Sequence, residues 1–268
     1  MPNLVSLQEK SKPPLKWAGG KRWLLKFLKE IWIDYHASGF RLVEPFCGGL
    51  AITLGLMPKR AYLNDINPHL INFYSQLKSG LKPNIIMEYN KTLYYRYRQR
   101  FNDLILQGKW NTKESALLFY YLNHTGYNGL CRFNQKGLYN VPFGEYKYVT
   151  YLKDFSIYES VFKNWKFTCK DFEELDLQSK DFIYADPPYD VEFRQYSSQG
   201  FTWNEQVRLA KWIKGLDTPC VISNQATDRI VELYKSMGFE LTFVQGPRMI
   251  SCTGNRDPAK EVIAIKVP

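Results

Sequence analysis

The apolar run Phe182-Ile183-Tyr184-Ala185 stops at Asp186-Pro187-Pro188-Tyr189, and this stop constrains the chain more than any other stretch. Four apolar residues bounded by turn formers read as a buried strand, and two prolines cannot continue it because they lack a backbone donor and fix φ. A strand ending in an acid and a stiff turn belongs at the carboxyl edge of an open α/β sheet, where such sheets bind ligands. The Asp186 carboxylate and the Pro187 carbonyl are then two acceptors beside the flat face of Tyr189, with Pro188 stiffening the turn. That set fits an exocyclic amine on a flat base. Each acceptor takes one amino hydrogen, the ring stacks, and the nitrogen lone pair is aimed at an electrophilic carbon such as a sulfonium methyl. The plainer reading of the same four residues is a strand-ending turn.

A second α/β signal lies nearer the start. Arg41–Phe46 is a strand candidate that runs into Cys47-Gly48-Gly49 and a helix-like stretch from Leu50 to Leu56. Ala61–Asp65 follows as a strand ending in an acid, about where a dinucleotide fold places its ribose-binding carboxylate. An ordinary β-turn and a helix cap account for the same residues. From Pro68 to Leu152 the pattern changes to amphipathic stretches rich in Lys, Arg and Tyr, then a Gly/Asn-rich run, which predicts an inserted, mainly helical region. The α/β pattern resumes with strands at 181–185, 220–223, 239–244 and 262–267 and helices at 205–214 and 227–237. The expected division is residues 1–67 and 153–268 for the catalytic sheet and 68–152 for the insertion.

The chain has 268 residues and a formal net charge of +10, which suits a polyanionic partner or an anionic membrane surface. No run of about 20 apolar residues is present, and the N-terminus scatters Lys10, Lys12 and Lys16 among prolines without an apolar leader core. A soluble, cytoplasmic protein is expected. Cys47, Cys131, Cys169, Cys220 and Cys252 are widely spaced and accompanied by only three histidines, so they are expected to be buried thiols, with no disulfide framework and no metal site. The 19 Tyr, 17 Phe and 7 Trp would suit base stacking as well as a core.

Two constellations fit nucleic acid. In Tyr94–Phe101, helical spacing places Tyr94, Tyr97 and Phe101 on one face and Arg96 and Arg100 on another, for packing and phosphate contact respectively. An amphipathic helix with a solvated basic face fits equally. Asn123–Asn134 combines two glycines with Asn, Tyr and Arg, residue types that suit backbone approach, stacking and bidentate base contacts.

These residues resemble the Dam family of DNA adenine-N6 methyltransferases over nearly the whole chain. Lys16-Trp17-Ala18-Gly19-Gly20-Lys21 is similar to that family's opening cofactor motif and Glu44-Pro45-Phe46-Cys47-Gly48-Gly49 to its glycine-rich loop for S-adenosylmethionine. Asp65-Ile66-Asn67 and Asp186-Pro187-Pro188-Tyr189 follow in the family's order, and Tyr127–Asn134 and Asn140–Gly144 match its target-recognition region. The resemblance implies a Rossmann-like methyltransferase sheet with an inserted recognition domain. Trp17, Lys21, Phe46, Gly48, Gly49, Asp65 and Asp186 are then cofactor-binding, with Asp65 on the ribose hydroxyls. It implies Lys16, Arg98, Tyr127, Asn128, Leu130, Arg132, Asn134, Asn140, Pro142 and Tyr146 as DNA-contacting residues. Arg132 would read a guanine, Leu130 and Pro142 would touch a thymine, and Tyr127 and Asn128 would enter the duplex as the adenine leaves.

The implied reaction is base flipping and direct methyl transfer to N6 of adenine in double-stranded GATC by a monomer, as an orphan, restriction-modification or phage enzyme. Well-known members carry arginines where this chain has His124 and Glu145, so weaker phosphate binding and lower processivity are expected, with Arg98 keeping one contact. Three other readings share some of these residues. An N4-cytosine methyltransferase usually has serine at the Asp186 position, a protein or RNA methyltransferase has no use for the Tyr127–Asn134 loop, and an idle DNA-binding protein has no need of an intact active site.

Overall fold

The computed structural model describes residues 12–190, 201–246 and 259–267. Lys10 and Cys252 lie outside the described residues. Among those described, the strands are β1 (Arg41–Glu44), β2 (Ala61–Asn64), β3 (Trp165–Thr168), β4 (Asp181–Ala185), β5 (Cys220–Gln225), β6 (Glu240–Gly246) and β7 (Ala259–Lys266). The helices are α1 (Leu25–Ala37), α2 (Ala51–Leu56), α3 (Pro68–Lys78), α4 (Lys91–Leu106), α5 (Lys113–Thr125), α6 (Ser156–Val161), α7 (Trp203–Lys214) and α8 (Asp228–Ser236). The mixed α/β architecture is the expected one. β3, α1 and α6 were not among the expected elements; β3 is four residues long and only its first residue is buried.

The described residues form two compact units, one gathering 12–22, 48–57 and 65–169, the other 23–47, 58–64 and the remainder from 170 onward. In the second unit the strands lie in the order β2-β1-β4-β5-β7-β6. β2, β1, β4 and β5 are parallel, whereas β7 is antiparallel to both β5 and β6. β1, β2 and β4 are buried along their whole length, which explains their apolar sequences and the absence of alternation. The register of β1 on β4 pairs Arg41 with Asp181, and the same two side chains form a buried bidentate ion pair with both bonds at 2.7 Å. A one-residue slip would leave two buried charges unpaired, so the pair fixes register.

The first unit is organised around α5, which is buried from Ser115 to Asn123. α4 packs with Tyr94 and Phe101 inward, as expected, while Arg100 is bound to Glu114 through two bonds of 2.6 and 2.8 Å. Arg100 stays exposed and shares its charge with Glu114. The aromatic content is likewise explained first by packing: Tyr62, Tyr74, Tyr94, Tyr120, Tyr121, Tyr139, Tyr184, Tyr234 and Trp165 are all fully buried. The thiols divide. Cys47 and Cys220 are buried as expected, but Cys131 is half-buried and Cys169 exposed.

α3 starts at Asn67, whose side chain accepts from the amides of His69 and Leu70 and caps the helix. His69 stacks on Phe133 at 4.9 Å and meets Phe101 edge-on at 5.1 Å. Its Nδ1 has no hydrogen-bond partner among the described residues, and burial pushes its pKa down from 6.5 to about 4. Above pH 6.5 the imidazole is neutral in both states; below it the unfolded chain takes up a proton that the folded chain refuses until about pH 4. Stability should therefore fall as pH drops through this window, by about 3 kcal/mol in all. Denaturant titrations from pH 7 to 4 should show this slope in the wild type and a flatter one in His69→Phe.

Candidate active site and nucleic-acid interface

In the first unit, the turn after β1 lies against Trp17. Gly48 has φ +43, and a Cβ there would lie 2.8 Å from Trp17 Nε1; at Gly49 it would lie 2.7 Å from Trp17 Cβ. The absence of both side chains lets the backbone approach the indole, as a ligand-cradling turn requires. The turn is then held from two directions. The Gly48 amide donates to Asp65 Oδ2 at 3.0 Å, and Tyr74 Oη donates to the Gly48 carbonyl at 2.7 Å. The other carboxylate oxygen of Asp65 accepts from the Asn67 amide at 3.0 Å. Enclosure raises the Asp65 pKa above the ordinary carboxylate value, against the pull of these two amides. Lys21, buried, donates from Nζ to the Gly19 carbonyl at 3.1 Å.

The donor set fits S-adenosylmethionine. Trp17 packs against the two glycines as a flat apolar wall beside the turn, and each Asp65 oxygen carries one backbone donor and retains acceptor capacity for a ribose hydroxyl. Phe46 belongs to the second unit, where its ring meets Phe172 at 5.7 Å and Phe201 at 5.4 Å.

In the second unit, the turn after β4 is supported residue by residue. Ser223 Oγ of β5 donates to Asp186 Oδ1 at 2.8 Å, and the same hydroxyl is 2.8 Å from Tyr184 Oη. With Ser223 donating to the carboxylate, the Tyr184 phenol donates to Ser223, so the hydrogens point toward Asp186. Gln206 Nε2 donates to the Pro188 carbonyl at 2.8 Å, and its own carbonyl accepts from Asn224 Nδ2 at 3.0 Å. Tyr189 Oη donates to Glu261 Oε2 of β7 at 2.7 Å, and Asp190 pairs with Arg229. Ser223, Gln206 and Glu261 were not singled out in the sequence. A Ser, a Gln and a Glu inside apolar elements carry no periodic signal, and their role exists only once β5, α7 and β7 are brought to this turn.

The expected recognition residues all belong to the first unit, and all but Lys16 and Arg98 lie between α5 and residue 146. Tyr127 is 49% exposed, and Asn128 follows in the left-handed region at φ 52. Gly129, at φ +61, faces Lys16, and a Cβ there would lie 2.4 Å from Lys16 Cβ. Lys16 Nζ donates to the His124 carbonyl at 2.8 Å and lies 4.0 Å from the Tyr146 ring centre. Arg132 is exposed, but its Nε donates to Asn140 Oδ1 at 2.8 Å, so Asn140 aims the guanidinium. Asn134 uses its Oδ1 for the amides of Lys136 and Leu138 and thereby shapes the turn that follows Arg132. Asn102 of α4, also missed in the sequence, grips Tyr139 through both backbone groups at 2.8 and 3.1 Å.

The carbonyls on either side of Pro142 are also occupied: Arg98 Nη1 donates to the Val141 carbonyl at 3.0 Å, and the Tyr127 amide donates to the Pro142 carbonyl at 2.9 Å. The half-buried Leu130 offers its carbonyl to Tyr139 Oη at 3.1 Å, and Tyr146 Oη donates to the Gly126 carbonyl at 2.6 Å. His124 faces inward, with its ring 4.4 Å from Tyr120 and Nε2 2.9 Å from the Pro14 carbonyl.

Residues 17–250 match the D12 class N6 adenine-specific DNA methyltransferase family. The chain is 34% identical to the DNA adenine methylase of Escherichia coli K12, over 97% of each protein. It is 33% identical to the Retron Ec67 DNA adenine methylase of Escherichia coli, over 94% of this chain and 90% of that one. It is 32% identical to the type II methyltransferase M.MjaIII of Methanocaldococcus jannaschii, over 91% of this chain and 94% of that one. The chain therefore belongs to the D12 class of N6 adenine-specific DNA methyltransferases, and it is an enzyme that methylates adenine in DNA. Among the described residues no helix is long and apolar enough to cross a membrane, and no group of three His, Cys, Asp or Glu could hold a metal.

The Gly49–Trp17 approach leads to a direct test. Gly49→Ala forces a methyl group into the indole and should cost about 1–3 kcal/mol with a lower thermal midpoint. Gly20→Ala, whose Cβ would meet Ala51 at an ordinary 3.7 Å, should be neutral or slightly stabilising in the same thermal melts.

Proposed function

We propose that the enzyme methylates N6 of adenine within GATC in double-stranded DNA, using S-adenosylmethionine, after flipping the base out of the helix. The observation that carries this reading is the Asp186–Tyr189 turn, an acceptor pair and an aromatic ring whose polar ends are held by Ser223, Gln206 and Glu261. Bound at Gly48–Gly49, Trp17, Lys21, Phe46, Asp65 and Asp186, S-adenosylmethionine supplies a methyl group activated by positive sulfur.

The chain's own residues orient and polarise. Asp186 accepts one amino hydrogen of the flipped adenine and the Pro187 carbonyl the other, which draws the nitrogen lone pair out of conjugation. Tyr189 stacks on the base and Pro188 keeps the turn stiff. The proton leaves the amine after transfer, so Asp186 acts as acceptor rather than as strong base. Asp65 holds the ribose hydroxyls.

Residues 68–152 form the DNA reader. Arg132, aimed by Asn140, donates to a guanine; Leu130 and Pro142 meet the thymine methyl; Lys16 and Tyr146 contact bases; Tyr127 and Asn128 fill the gap left by the adenine. Asn134 supports the reading turn and Arg98 contacts phosphate. His124 turned toward Tyr120, and Glu145 on the surface, supply no positive charge to the backbone, which supports a short residence on each DNA molecule. The protein works as a monomer.

Unmethylated plasmid incubated with the protein and S-adenosylmethionine, then sequenced for modified adenines, should show methylation at GATC; modification confined to other motifs would overturn the specificity. Asp186→Ala should lose at least about a thousandfold in methyl transfer while keeping DNA affinity within a few-fold, by gel shift. Asn140→Ala should leave Arg132 untethered and weaken discrimination at the guanine by about 1–3 kcal/mol, measured with duplexes substituted at that base. Because an enclosed Asp65 takes up a proton at higher pH than an ordinary carboxylate, cofactor affinity should fall on acidification, and at a higher pH than an ordinary carboxylate would give. Asp65→Asn should bind more weakly and lose that slope in calorimetric titrations.

A further inference from the structure

Glu261 is a carboxylate in the interior of the sheet. It lies on β7, between its register partners Gln225 of β5 and Val244 of β6, and is only 5% exposed. A carboxylate so placed is costly unless strong hydrogen bonds hold it. Its Oε2 accepts from Tyr189 Oη at 2.7 Å, a charge-assisted distance. Room for the carboxylate comes from Gly246 at the end of β6, where a Cβ would lie 2.7 Å from Glu261 Oε1 and 2.9 Å from Trp23 Cζ2. Burial, and then the negative charges of Asp186 and Glu261, hold the Tyr189 phenol far above its ordinary pKa. The hydroxyl therefore stays protonated and donates.

We propose that Glu261 is a positioning residue for methyl transfer: through the Tyr189 hydroxyl it fixes the plane of the ring against which the target adenine stacks. The inference rests on the assignment of Tyr189 as the stacking residue. A tyrosine ring turns about two bonds. The stiff Pro187-Pro188 backbone sets its near end, and without an anchor at the far end the ring samples several orientations. With Glu261 in place the platform is set before the base arrives, and the amine meets its acceptors in one geometry. Gly246 contributes by leaving the carboxylate its space.

The test uses the full-length protein on a duplex carrying the site found by plasmid mapping, with single-turnover rates and Michaelis constants for both substrates. Glu261→Ala should lower the transfer rate roughly ten- to a hundredfold with the Michaelis constant for S-adenosylmethionine within about twofold. Glu261→Gln, which keeps an acceptor, should recover most of that loss. Tyr189→Phe keeps the ring and removes the hydroxyl, so Glu261→Ala should cost little more in the Tyr189→Phe background. Gly246→Ala should reproduce Glu261→Ala.

With 2-aminopurine in place of the target adenine, loss of ordered stacking should raise fluorescence in Glu261→Ala and not in Glu261→Gln. An equal loss in Glu261→Ala and Glu261→Gln, or an undiminished loss in the Tyr189→Phe background, would overturn the proposal. If Asp186→Ala abolishes transfer while Glu261→Ala matches the wild type, only the role of Glu261 fails. If Asp186→Ala remains active, the reading of the whole turn fails, and the inference with it.

Discussion

The Asp65 carboxylate is the junction on which the first unit depends. One oxygen takes the Gly48 amide and the other the Asn67 amide, while the backbone amide of Asp65 donates to Thr168 at the end of β3. Asn67 in turn caps α3 and donates from Nδ2 to Cys131 Sγ at 3.3 Å, one residue before Arg132. A single enclosed acid thus connects the glycine turn, the start of a buried helix and the loop that carries the proposed base reader. Such a group is tolerated because both oxygens are hydrogen-bonded; an apolar side chain would leave two amides without acceptors.

The second unit solves a related problem at the turn after β4. Prolines stiffen a backbone but donate nothing, so the turn's polar groups need donors from elsewhere. Ser223 and Gln206 supply donors to Asp186 and Pro188 from a parallel strand and a helix, and Glu261 on an antiparallel strand accepts from the Tyr189 hydroxyl. The sheet order makes this possible, because β5 lies beside β4 and β7 beside β5. In the proposed transfer no side chain attacks, and the rate depends on how well an amine is oriented. Rigid support of the acceptors is therefore the main contribution the fold can make.

Legibility in the sequence followed the physics of each feature. Strands buried on both faces announce themselves as apolar runs, and a proline or glycine at a strand's end marks the edge, so β1, β2, β4 and β5 and their adjoining turns could be read directly. The proposed recognition residues came from residue type and from the family resemblance, and neither gives their division of labour. Asn140 and Asn134 look like base readers in a list of polar residues, but their side-chain oxygens are committed to Arg132 and to the turn beside it. Arg100 reads as an unpaired cation until the fold brings Glu114, fourteen residues later, beside it. The aromatic excess suggested stacking, whereas most of the largest rings fill the two cores.

The sequence by itself determined the chemistry at the chain's fixed points: an acid and two prolines at one strand end, two glycines and an acid at two others, and a basic, aromatic region between them. These are local facts, set by propensity, periodicity and the donors and acceptors that neighbouring residues carry. Only the tertiary structure decided which residues hold those points in place. Ser223, Glu261, Gln206, Asn102 and the glycine at 246 act across separations of 15 to 72 residues. A buried polar side chain has no pattern of its own along the chain; its partner is set by sheet order and register, and those follow from the packing of the whole.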